Sequence, residues 1–302
     1  MRIERMDDEL EELVYFSLEL LLGHNIPIIA KRTASSRCPL YPVLPCLQGL
    51  MLLGWTWNTC DQMRKITFEL CAETIAACVA AREGGAQRIE LCSALSEGGL
   101  TPSHGLVRAA VDHSGLPIHV MIRPRGGGYL YDEAEIALMK DDILHVKQLG
   151  AAGVVFGLLR EDRSVDVDGT RRLVALAHPM KVTFHRAFDE TPSLTQSLED
   201  VIATGANRVL TSGGRRNAVV GAAVLAELVR QASGRIEIAV GGGLRLRNVA
   251  SLARLTGAEH FHGSLRQRIL RAKHSSAPTD NVAPYRVDAA TIRNAIQLLQ
   301  NA

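Results

Sequence analysis

The sequence predicts an α/β chain folded as a (β/α)8 TIM barrel, eight parallel strands ringed by helices, and three observations carry that prediction. From Ile66 onward, short β-branched or aromatic runs alternate with longer helix-patterned segments, the grammar of βα units on a parallel sheet. Eight such runs fall between Ile66 and Ser264, and a closing helix follows near Ala289 to Leu299, a layout that suits a barrel of about 250 residues. Four connections, "EGGAQRI", "QLGAAGV", "ATGANRV" and "LTGAEHF", place Gly-Ala just ahead of the next strand. Glycine there supplies the left-handed residue that closes a helix. The rival fold, an open doubly wound sheet, carries a glycine-rich dinucleotide loop after its first strand; here "LCAETIAA" takes that place and holds no glycine.

The elements follow in order. "ITFELC" from Ile66 is the first strand, with a helix over Glu73 to Glu83, and "RIELC" from Arg88 is the second. "PIHVMIR" from Pro117 precedes a helix over Glu133 to Gln148, and "GVVFG" from Gly153 is the fourth strand. "KVTFHR" from Lys181 leads to Thr-Pro-Ser, a helix-start signal, and a helix over Leu194 to Thr204. "RVLTS" from Arg208, "RIEIAVGG" from Arg235 and "EHFHGS" from Glu259 complete the set. Residues 1–62 read differently: "DDELEELVYFSLELLLG" has helical amphipathicity, and "RTASSRCPLYPVLPC" has three prolines and no period. Met63 opens "MRKITFELC" as a compact domain often opens, so the chain divides into an N-terminal extension, 1–62, poorly ordered or lying upstream of the true start, and a barrel domain, 63–302.

Bulk composition excludes several classes. A formal net charge of +2, from 34 basic and 32 acidic residues, leaves no footprint for nucleic acid or an anionic membrane. The most apolar stretch, "VLPCLQGLMLLGWTWN" from Val43, is too short for a membrane span and is interrupted by Pro and Gly. Six cysteines at irregular spacings, without paired C-x-x-C motifs, point to neither a disulfide framework nor a zinc knuckle, and fit a reducing cytoplasm.

Function follows from the alternation within strands. Side chains alternate between faces, so "FELC" and "IELC" each place a glutamate and a cysteine opposite two apolar residues. The apolar face packs on the helices: Phe68, Leu70, Ile89, Leu91, Val120, Ile122, Val182, Phe184, Ile236, Ile238, Val240 and Phe261. The interior then receives Glu69, Cys71, Glu90, Cys92, His119, Met121, Arg123, Thr183, His185, Glu237, His260 and His262. Barrel interiors are usually branched and apolar. Buried Glu69 and Glu90 therefore require Arg123 or a protonated histidine beside them. For His119 and Glu237, deeper in their strands, the expected role is structural.

Cys71 and Cys92 end neighbouring strands, about 4.8 Å apart by the spacing of strands, and Met121 ends the third; two thiolates and a thioether favour Cu(I). Buried cysteines also serve as plain packing. The glycines Gly241, Gly242 and Gly243 after strand seven, and Gly263 with Ser264 after strand eight, fall where barrels hold phosphate on backbone N–H groups. "RPRGGGYLY" after strand three adds Arg123, Arg125 and a loop able to fold over the mouth.

Together "RIELCSALSEGGLTPS", "VMIRPRGGGYLYDEAEIALMKDDI", "VTFHRAFDE", "VLTSGG", "GGGL" and "FHGSLR" resemble the CutC copper homeostasis family from about Ile66 to Arg266. The resemblance implies a cytoplasmic TIM-barrel protein, homo-oligomeric, taking part in copper handling or tolerance, with Cys71 and Cys92 at the positions of the family's Cu(I) ligands. Residues 1–62 have no counterpart in the family pattern. The chemistry of the mouth supports an alternative, a lyase or isomerase acting on a small phosphorylated or carboxylated metabolite. In that reading Glu90 or Glu69 is the general base, His185 the acid partner, Arg123 a carboxylate clamp and the glycine loops a phosphate cradle.

Overall fold

The computed structural model describes residues 65–268 and 285–302; the expected N-terminal extension, 1–62, and Met63 lie outside the described residues. Eight parallel strands pair in sequence order: β1 (Thr67–Ala72), β2 (Arg88–Leu91), β3 (Ile118–Met121), β4 (Gly153–Phe156), β5 (Lys181–Phe184), β6 (Arg208–Thr211), β7 (Glu237–Gly241) and β8 (His260–Gly263). β8 returns to pair with β1, placing Glu69 opposite His262 and leaving no open edge. Closure settles the choice against the doubly wound sheet.

The strands are connected by α1 (Ile75–Gly84), α2 (His104–His113), α3 (Glu133–Gln148), α4 (Val167–Ala177), α5 (Leu194–Thr204), α6 (Ala222–Ala232) and α7 (Val249–Thr256), and α8 (Ala289–Gln300) ends the domain. A two-stranded antiparallel ribbon, β9 (Gln267–Arg268) with β10 (Tyr285–Arg286), precedes α8. Local chemistry marks the helix starts: Thr74, Ser193 and Asp288 each accept a first-turn backbone N–H, and Asp132 with Glu135 forms a reciprocal capping box. The Gly-Ala connections behave as expected, with Gly85, Gly150, Gly205 and Gly257 all at positive φ.

Two concentric layers result. Phe68, Leu70, Ile89, Leu91, Val120, Ile122, Phe184, Val240 and Phe261 are buried in the large cluster between sheet and helices, each contributing about 1.5–3 kcal/mol of burial. The inner layer is polar for most of its depth, and a small separate apolar cluster of Cys71, Cys92, Met121 and Val155 lies inside the barrel. The ring of helices closes where α1 meets α8. A Cβ at Gly84 would come within 2.6 Å of Ile292 Cβ, so only glycine permits that approach.

Candidate functional site

The inner layer is organised around one carboxylate. Glu69, 2% exposed, accepts hydrogen bonds from Arg88 Nε, from Arg208 Nη1 at 2.8 Å and from His262 Nδ1 at 2.9 Å. Arg208 also donates through Nε to Glu237 Oε2 at 2.8 Å. Burial alone would raise the Glu69 pKa, but Arg208, His262 and Arg88 overcome it and hold the carboxyl well below its usual range. A buried charge is tolerated when paired and hydrogen-bonded in this way. The histidine expected beside the glutamates is His262, whereas the arginines are Arg88 and Arg208.

Above this network, toward the C-terminal ends of the strands, lie the thiols. The register sets Cys71 opposite Glu90. Cys71 Sγ is 3.7 Å from Cys92 Sγ and 3.4 Å from Glu90 Oε1, and His262 Nε2 is 3.7 Å from that same oxygen. Cys71, Glu90 and His262 thus offer three donor atoms all within 4.8 Å of one another. The Cys92 hydrogen bond, burial and the Glu90 charge push the Cys71 thiol well above its ordinary pKa. Burial, aided by the Glu69 charge, raises Glu90 against the opposing pull of His262. Burial would lower His262, yet Glu90 and Glu69 outweigh it and leave the imidazole raised. The loop after β2 seals the thiols from one side: Gly99, at φ 92°, lies so close that a Cβ would be 3.3 Å from Met121 Cε and 3.4 Å from Cys92 Cβ.

The mouth itself is a cavity of about 460 Å³, within the range of small-ligand sites. Cys71, Glu90, Met121, His185 and His262 line it, as do Gly242, Gly243, Gly263 and Ser264. His185 Nδ1 accepts from Ala187 N at 3.3 Å, and burial, with Arg123 adding to it, lowers the His185 pKa to about 3. The ring is therefore neutral. Two buried atoms of this wall, Glu90 Oε2 and His185 Nε2, have no hydrogen-bond partner among the described residues.

Other residues singled out in the sequence lie elsewhere. Cys92 is fully buried behind Cys71, and Glu69 sits one layer below the mouth. Gly241 belongs to β7 and stays off the cavity wall. The Arg123 guanidinium donates to the carbonyls of Glu97 at 2.6 Å, Gly99 at 3.2 Å and Gly127 at 2.6 Å. It thereby ties the loop after β2 to the loop after β3, off the cavity wall. Arg125 forms an ion pair with Glu135 and donates to the Leu130 carbonyl at 2.8 Å, bracing the start of α3. The sequence reading misses Arg88 and Arg208; the signal in β6 is that Arg208 lies two positions before the inward Leu210 and so shares its face.

A family model described as the CutC family matches residues 66–267. A CutC family protein of Chromobacterium violaceum is 50% identical over 204 residues, covering 68% of this chain and 83% of the relative. One of Bacteroides thetaiotaomicron is 40% identical over 245 residues, covering 79% and 98%. The solved structure of CutC from Streptococcus agalactiae is 32% identical, with a TM-score of 0.62, covering 66% of this chain and 98% of that one. A solved aldolase, QR15, at 13% identity and a TM-score of 0.51, covers 68% of this chain and 92% of its own and shares the fold alone.

Proposed function

Because this chain belongs to the CutC family, we propose that it handles copper by holding Cu(I) in the thiol layer of the barrel, with Cys71 and Cys92 as thiolate ligands and Met121 as a thioether donor. The observation that supports this reading is the 3.7 Å between the two Sγ atoms. Metal–sulfur bonds run about 2.3 Å, so a single ion can reach both sulfurs. Soft sulfur donors select Cu(I) over hard cations. Met121 belongs to the same buried cluster, and His262 and Glu90 complete the donor-rich side of Cys71.

The Cys71 thiol, held protonated in the metal-free protein, must release its proton on loading, which makes uptake pH-dependent. Two thiols this close also require a reducing compartment to remain free, so the reading includes a cytoplasmic location. It also includes a homo-oligomer. Among the described residues no helix is long and apolar enough to cross a membrane.

The test is Cu(I) competition against a chromophoric chelator, with anaerobic, reduced full-length protein. Wild type is expected to withdraw Cu(I) from the chelator, and the Cys71→Ser/Cys92→Ser variant to lose that ability while keeping its far-UV spectrum. Undiminished competition by the double variant overturns the assignment. Met121→Leu is expected to weaken binding without abolishing it.

A further inference from the structure

We propose that the barrel mouth also binds a small phosphate monoester, its phosphate on the glycine turns after β7 and β8 and its organic part reaching down to Glu90 and His185. This goes beyond the copper reading and does not depend on it. Several independent features converge on the same wall.

The turn after β7 is built to leave space. Gly242 and Gly243 adopt φ of 93° and 80°, which side-chain-bearing residues rarely adopt. A Cβ at Gly242 would lie 3.2 Å from Ser212 Cβ and 3.6 Å from Arg186 Cζ, so a side chain there would fill the gap beneath the guanidinium. That guanidinium is held in place. Arg186 donates through Nε to Asp189 Oδ2 at 2.8 Å and through Nη2 to Ser212 Oγ at 2.9 Å. Its remaining Nη1, 3.7 Å from the Cβ position of Gly242, has no acceptor among the described residues. Asp189 meanwhile is occupied with Arg186, Thr211 Oγ1 and the backbone N–H groups of Ser212 and Gly214. Its charge is thus spent within the loop.

The backbone adds donors. The N–H groups of Gly242, Gly243 and Ser264, residues of the cavity wall, donate to no backbone carbonyl among the described residues, and free amides of this kind are what an anion binds. Arg245 and Arg266 stand on the same cavity wall. Arg266 has Glu73 for a partner at 3.3 Å and lies over the Tyr285 ring. Several guanidiniums together suit a phosphate dianion better than a single carboxylate.

The cavity is larger than phosphate requires. At about 460 Å³ it has room for a sugar-sized body, and Glu90 Oε2 and His185 Nε2, 2% and 4% exposed as residues, lack partners in its wall. Buried polar atoms without partners in a cavity wall mark places where a ligand's hydroxyls complete the hydrogen bonding.

The experiment is titration calorimetry and thermal shift on the full chain with ribose 5-phosphate, ribose and inorganic phosphate. Ribose 5-phosphate is expected to bind and raise the melting temperature, ribose to do neither, and inorganic phosphate to bind more weakly than the ester. Arg186→Gln is expected to weaken binding by roughly tenfold or more, the usual loss for a hydrogen bond to a charged group. Because Arg186 also braces its loop, Arg245→Gln is measured in parallel and is expected to weaken binding in the same direction. Retention of binding by Cys71→Ser/Cys92→Ser supports a site separate from the copper ligands. The proposal is overturned if no phosphate binds, if ribose or inorganic phosphate binds as well as the ester, or if both arginine variants bind like wild type.

Discussion

Replacing Arg208 by glutamine should destabilise the barrel more than any surface charge substitution. Arg208, whose side chain is 3% exposed, bridges Glu69 and Glu237 at 2.8 Å each. Breaking a buried ion pair by removing one partner costs about 3–5 kcal/mol, because the other charge is left uncompensated. Glu69 retains Arg88 and His262, and Glu237 reaches solvent, its side chain being 42% exposed. The loss therefore falls at the lower end, about 3 kcal/mol, and a domain of this size loses about 2–4 °C of melting temperature per kcal/mol, or roughly 6–12 °C. Glu69→Gln should cost a similar amount by leaving two arginines facing each other. The double variant should fall short of the sum, with a coupling of about 0.5–3 kcal/mol as found for residues in contact. Urea denaturation followed by circular dichroism gives all four values. An Arg208→Gln loss below about 1 kcal/mol, a surface-pair magnitude, or strict additivity in the cycle would refute the reasoning that this network holds the barrel interior together.

Two further outcomes follow. His185 is neutral in the fold with its pKa lowered to about 3, while the unfolded chain takes up a proton near pH 6.5. Its contribution to stability is intact above that value and is lost as pH falls toward the folded pKa, amounting to roughly 2–3 kcal/mol by pH 4.5. Urea midpoints of wild type should therefore drop between pH 7 and 4.5 more steeply than those of His185→Gln; parallel curves would contradict the assignment. His262, raised in the fold, acts in the opposite sense, adding stability at low pH that fades as pH rises, and is present in both proteins. Gly84→Ala should cost about 1–3 kcal/mol by overpacking, since its Cβ would meet Ile292 at 2.6 Å. Differential scanning calorimetry reads the shift, and an unchanged melting temperature would rule out so close an approach of α1 to α8.

Much of this architecture was legible because strand alternation is strict. Assigning the apolar members of "FELC", "IELC" and "IHVMI" to the helices put Phe68, Ile89 and Val120 in the outer cluster, and Cys71, Cys92 and Met121 did come together within the barrel. The helix bounds Glu133–Gln148 and Leu194–Thr204 also agree, because capping residues mark them. The arginines were harder. Arg88 and Arg208 open their strands, and a basic residue ahead of an apolar run reads like a solvated strand entrance unless the register is known. Nor does the sequence show that Arg123 would be taken up by loop carbonyls, since those carbonyls come from "SEGGL" and "GGGY" in a geometry that only the closed barrel creates.

The pairing of β8 with β1 carries a consequence for how the molecule is born. Glu69 meets Arg88 from a strand only 19 positions on, but Arg208 and His262 lie 139 and 193 positions downstream. A nascent chain emerging from the ribosome has its central acid long before two of its three counter-ions have been synthesised. Until the eighth strand arrives, the half-made sheet exposes two raw edges and Glu69 lacks its third partner, His262, and contacts of such long sequence separation form slowly. Stalling or truncation shortly before His260 should yield a species that chaperones retain, because the edges of β1 and β7 then have no partner strand.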